Sequence, residues 1–139
     1  MADGRLDLAV SVLDAVDANI AVLDQHGSIV YVNDAWRQFG ESNGAGDVWW
    51  VGRNYVDECL RAAETGDEEA GRVFSALRQL LGGNLTHRRF MYECSTPYQR
   101  RIFSMSLSGF YADDELYAVV MHHNTTIDHL ADDRRLQPA

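Results

Sequence analysis

The side chains that could do chemistry in this sequence are few, and their spacing narrows the choice. His122 and His123 are adjacent at the end of the apolar run Leu116-Tyr117-Ala118-Val119-Val120-Met121. In a strand, successive side chains point to opposite faces, so the two imidazoles cannot grip one metal ion. Ala118, Val120 and His122 share one face, and Val119, Met121 and His123 share the other. If Ala118 and Val120 face inward, His122 is a polar anchor at the end of an apolar wall, and His123 is solvated or touches a neighbouring helix. Asp113, Asp114 and Glu115 form a carboxylate cluster in a turn, where like charges disfavour strand-edge association. Cys59 and Cys94 make no C-x-x-C pattern, and Cys59 reads as a small buried apolar residue. The sequence has no nucleophile elbow, no phosphate-cradling glycine loop and no H-E-x-x-H. Enzymatic activity is therefore not expected.

The elements that must position these residues are legible from periodicity. Ile102 to Ser108 alternates, with Phe103, Met105 and Leu107 on one face and Ser104, Ser106 and Ser108 on the other, the mark of a half-buried strand. Gly109 to Glu115 reads as a turn, and the chain returns as a strand to Asn124. At the other end, Asp3 can cap a helix running to about Asp17 with one apolar stripe, Leu6, Val10, Leu13 and Val16. Ile20–Asp24 and Ser28–Val32 flank a glycine turn as a hairpin, and the first strand, apolar on both faces, calls for the N-terminal helix as a cover. Asn33 is an N-cap for a short helix bearing Trp36 and Phe39. Gly40 to Gly52 is loop-like yet carries Trp49, Trp50 and Val51, expected to pack onto the core. Tyr55 to Ala63 forms a helix. Asp67 caps a longer one with Ala70, Val73, Phe74, Leu77 and Leu81 as its buried stripe, ended by Gly82-Gly83. Thr86 to Cys94 is a third strand, and Ser95-Thr96-Pro97 turns the chain into the fourth.

At 139 residues the chain is one domain. Its formal charge of −9 argues against a nucleic-acid surface, and no apolar run suggests a membrane span. All twelve basic residues are arginine, so lysine chemistry is absent. No signal segment is visible, and a reducing, cytoplasmic setting with free thiols is expected. Five strands with the helices inserted between the second and third make an α+β domain around one antiparallel sheet, with a pocket expected between sheet and helices.

Residues 19–130 resemble a PAS domain. Ile20-Ala21-Val22-Leu23-Asp24 with Gly27-Ser28-Ile29-Val30-Tyr31-Val32-Asn33 resembles the family's opening strand–turn–strand, and Asn33-Asp34-Ala35-Trp36-Arg37 the start of its next helix. Asn124-Thr125-Thr126-Ile127-Asp128 stands where the family commonly has Asp-Ile-Thr. Asn54-Tyr55, and Tyr92, Cys94 and Pro97, are similar to motifs of PAS domains in bacterial sensor proteins, sensor histidine kinases among them. Asn124 replaces the usual acidic residue, which removes a salt bridge that some members use to couple sheet and exit helix.

The resemblance implies strand order 2-1-5-4-3, an N-terminal flanking helix (1–18), a PAS core (19–124) and an exit helix or linker (125–139). It also implies a sensory module that homodimerises through Leu6, Val10, Leu13 and Val16 and signals to a C-terminal effector domain or partner kinase. Neither haem nor flavin is expected. The flavin-linking Asn-Cys-Arg-Phe-Leu-Gln helix motif is missing, and His122 lies on the strand side, where haem-binding members usually present histidine from the helices. The expected occupant is a small, largely apolar ligand held non-covalently by Ala21, Leu23, Tyr55, Tyr92, Phe103, Met105, Leu107, Ala118, Val120 and His122. A ligand-free dimerisation scaffold would show the same residues as a filled core. A cone-shaped α+β small-molecule enzyme is a further alternative, which strand order distinguishes.

Overall fold

The computed structural model describes residues 4–42, 50–93, 97–98 and 100–125, without the side chains of residues 5, 6 and 40–42. In chain order the elements are α1 (Gly4–Ala15), β1 (Asn19–Leu23), β2 (Ile29–Val32), α2 (Asp34–Ser42), α3 (Tyr55–Glu64), α4 (Glu68–Leu81), β3 (His87–Glu93), β4 (Ile102–Ala112) and β5 (Glu115–Asn124). The strands form one antiparallel sheet in the order β2-β1-β5-β4-β3. This is the order expected of the PAS fold, and it separates the chain from the cone-shaped alternative. Asp3, Leu6 as a side chain, Trp49, Cys94 and the exit helix from Thr126 onward lie outside the described residues.

Register follows from the alternation of apolar residues. Leu107 pairs with Val120 and Met105 with His122, while Ala21 pairs with Val120 and Leu23 with Ala118. These side chains therefore share the face turned to the helices, and Leu23, Leu107, Ala118 and Val120 are fully buried there. A slip of one residue would expose the whole set, which is why the register is well determined. Val73, Ala76, Leu77 and Leu80 of α4 complete this core. The α4 stripe is thus rotated from the expected one: Phe74 and Leu81 are only partly buried at its margin, and Ala76 and Leu80 take the inner positions. Both sets repeat at three and four residues, so periodicity alone could not choose between them.

Two turns show how local chemistry sets the connections. In the first hairpin the Asp24 carboxylate accepts from the backbone N–H groups of His26 (2.9 Å) and Ser28 (3.0 Å). Gly27 has φ +87°, and a Cβ there would lie 2.5 Å from Val56 Cγ2, so both backbone and packing require glycine. The second turn is shorter than the sequence suggested. Strands β4 and β5 run on to Ala112 and from Glu115, leaving Asp113 and Asp114 as the whole connection. Both have positive φ, 50° and 65°, as two-residue hairpins prefer. Aspartate tolerates that region better than most residues, and stacked Phe110 and Tyr117 (5.3 Å) hold the extra rungs.

Helix α1 ends at Ala15, and its C-terminus is tied to the sheet by one buried side chain. Asn33 Nδ2 donates to the carbonyls of Leu13 (2.8 Å) and Ala18 (2.9 Å), while Oδ1 accepts from Ile20 N (2.9 Å) and Trp36 N (3.0 Å). Asn33 therefore caps α2, as its residue type predicts, and also joins α1 to β1. Asp14 adds a second tie by accepting from Tyr31 Oη (2.6 Å) and Asp34 N (3.1 Å). The helix that packs along β1 is α2. The apolar residues of α1 are not confined to one stripe: Leu8 and Val12 are 65% and 54% exposed, whereas Val10 and Leu13 are half-buried.

Candidate functional site

A pocket of about 410 Å³ opens between the α3–α4 pair and the inner face of β3, β4 and β5. Its deep wall carries Met105 and His122 from the sheet, Phe90 and Tyr92 from β3, Tyr55 and Cys59 from α3, and Val73 from α4. Asp67, Glu69, Ala70 and Glu93 complete the lining. Each is delivered by a local rule. Asn54 caps α3, its Oδ1 accepting from Asp57 N (2.9 Å), which sets Tyr55 and Cys59 one turn apart on the same face. Asp67 caps α4 by accepting from Ala70 N (3.0 Å), placing Ala70 and Val73 inward. Period two puts Phe90 and Tyr92 together on β3.

The chemical centre is a pair. Tyr92 Oη lies 2.8 Å from His122 Nδ1, and the two rings meet edge to face. Tyr92 stacks on Phe103 at 5.4 Å, and His122 meets the Trp36 ring at 5.7 Å. Burial pushes the His122 imidazole down to about 4, so at neutral pH it is uncharged. Burial also raises Tyr55 well above its ordinary value and the Cys59 thiol to about 11. Among the described residues, the polar groups that α3, β3 and β5 bring to the pocket include two hydroxyls, a thiol and a neutral imidazole, and the carboxylates of Asp67, Glu69 and Glu93 add negative charge to its lining. This arrangement can bind and orient a molecule, but it holds no activated nucleophile. Among the described residues no three His, Cys, Asp or Glu side chains come together as a metal-binding group.

Of the ten residues expected to face a ligand, Tyr55, Tyr92, Met105 and His122 line this pocket. Ala21, Leu23, Leu107, Ala118 and Val120 lie in the packed core, and Phe103 backs Tyr92 while meeting Phe39. Filling by α4 side chains separates the two groups, which residue type alone could not reveal. The lining adds Cys59, Asp67, Glu69, Ala70, Val73, Phe90 and Glu93. Phe90 could have been found from its two-residue spacing to Tyr92; the carboxylates read only as capping or surface charge. Trp50 and Val51 pack against the core, and Trp50 meets Trp36 edge to face at 5.8 Å.

Solved structures share this architecture. The PAS domain of Bordetella pertussis BvgS is 16% identical, with a TM-score of 0.60 over 97% of this chain and 100% of that one. A phage VqmA–DPO complex gives a TM-score of 0.65 at 12% identity, covering 96% of this chain and 59% of that one. A PAS domain from a two-component sensor histidine kinase is 14% identical, with a TM-score of 0.50 over 86% of this chain and 96% of that one. No family model matches the sequence. The fold is that of PAS domains, five strands in the order 2-1-5-4-3 with helices across one face. By sequence, the chain is 37% identical over 104 residues to an uncharacterized 104.1 kDa protein in the hypE 3′ region of Rhodobacter capsulatus. The match covers 73% of this chain but only 11% of that protein's length.

Proposed function

We propose that this chain is the sensory domain of a signalling protein and that the pocket beside Tyr92 and His122 holds a small ligand non-covalently. The observation that carries this reading is the pocket itself: a space of ligand size, walled by aromatic and apolar groups, with a few convergent polar atoms. A solved neighbour of the same fold is described as the phage VqmA–DPO complex.

The side chains also supply a route outward. Trp36 touches both His122 and Tyr55 (5.7 and 6.1 Å), and its backbone N–H is held by Asn33, which also grips the end of α1. A ligand that moves the Trp36 ring strains the cap, and with it the seat of α1. On the other side, His122 lies three residues before Thr125, whose N–H donates to Ile102 O (2.8 Å) at the point where the chain leaves the sheet. Occupancy shifts a dimer formed through α1 and reaches an effector domain or partner kinase in the cytoplasm. The shift is limited to the ligand's differential affinity for the two states.

Ala70→Phe, which places a phenyl ring in the pocket from α4, tests the route. Amide hydrogen exchange should change around Trp36 and from Leu13 to Ala18 as well as beside α4. A change confined to α4 and β3 would rule out this relay.

A further inference from the structure

We propose that the ligand is an uncharged one- or two-ring compound that presents a carbonyl, amide or hydroxyl group to the Tyr92–His122 pair. This rests on reading the pocket as a ligand site and specifies what that site accepts. Its size suits such a molecule, and Tyr55, Phe90 and Tyr92 give it aromatic walls, with Val73 and Met105 between them.

Charge selects further. Among the described residues no arginine lines the pocket, and the chain contains no lysine. Three lining residues are carboxylates: Asp67, Glu69 and Glu93. The N-terminus of α4, which could otherwise attract an anion, is already answered by the Asp67 cap and by Glu68 and Glu69 in its first turn. Two guanidinium groups beside the lining carboxylates are engaged, Arg72 with Glu69 and Arg100 with Glu93 (2.9 Å). An anion would thus be buried without a counter-charge, at a cost that apolar contact does not recover. A cation fares little better. Two of the three carboxylates are matched by arginines, the third caps a helix, and the deep polar groups carry no negative charge.

The Tyr92–His122 pair explains how a neutral group is held. If the tyrosine hydroxyl donates to Nδ1, the proton sits on Nε2, which can donate to a carbonyl. If Nδ1–H donates to the tyrosine oxygen, Nε2 is the acceptor. In either tautomer Nε2 remains for the ligand, as a donor in the first and as an acceptor in the second.

Saturation-transfer NMR with benzamide and 2-naphthamide, beside benzoate, 2-naphthoate, benzylamine and 2-naphthylmethylamine, tests this on wild type, His122→Phe and Ala70→Phe. The amides should bind at least about tenfold more tightly than the carboxylates and amines, weaken by about tenfold in His122→Phe, and lose binding in Ala70→Phe. Carboxylates or amines that bind as tightly as the amides, and are lost in Ala70→Phe, would overturn the neutral class while leaving the site standing. Binding by none of the probes, or binding indifferent to Ala70→Phe, would overturn the site as well.

Discussion

A buried imidazole at the end of a strand is costly to charge, and His122 makes that cost measurable. In the unfolded chain its reference value is 6.5; in the folded protein burial holds it at about 4. Above pH 6.5 both states are neutral at this residue. As the pH falls towards 4 the unfolded chain takes up a proton that the folded protein does not, so stability drops by roughly 3 kcal/mol over that interval. His122→Phe removes this dependence. Urea unfolding at a series of pH values should show wild type losing more stability than the variant between pH 6.5 and 4; parallel losses would mean that the imidazole is not held neutral. The inward face of His122 was legible from strand alternation with Ala118 and Val120. Its partner was not: Tyr92 lies thirty residues earlier, and only the antiparallel register of β3, β4 and β5 brings hydroxyl and imidazole together.

At the scale of elements, caps and turns were the most readable features because each depends on a few neighbouring residues. Asn33 and Asp67 cap α2 and α4 as their types require, and Asn54, singled out in the sequence only by its resemblance to a family motif, caps α3. The β4–β5 connection was less readable. Gly109 suggested an early turn, but it sits within β4, where a Cβ would come 3.2 Å from Leu80 Cδ2. A close approach to α4, not chain reversal, accounts for that glycine. The actual turn uses two aspartates at positive φ, a conformation that costs most side chains about 1 kcal/mol. Asp114→Gly should relieve that strain and stabilise the protein by about 0.5–1 kcal/mol in thermal or urea unfolding. A destabilised variant would show that the Asp114 side chain has a role beyond the turn.

At the scale of the whole molecule, the strand order came from the resemblance to PAS domains, whereas the layering was legible because alternation and helix placement leave few ways to cover one sheet. The surface of α1 was not, since which apolar residues remain exposed depends on how Asn33 and Asp14 seat the helix. Leu8 and Val12, with Val16 one further turn along and 36% exposed, form an apolar line facing outward. If the chain pairs through α1, Leu8→Asp with Val12→Asp should convert a dimer to a folded monomer in sedimentation equilibrium. A doubly substituted protein that still sediments as a dimer would place the contact elsewhere.

The account stands on a pocket that holds a molecule, and native mass spectrometry of protein freshly purified from cells reads this directly. Wild type should carry an added mass, of a few hundred daltons for a compound of pocket size, and Ala70→Phe, with unchanged circular dichroism, should run at its bare mass. Wild type at its bare mass, or an adduct kept equally by Ala70→Phe, would contradict the claim that this pocket is the sensor's binding site.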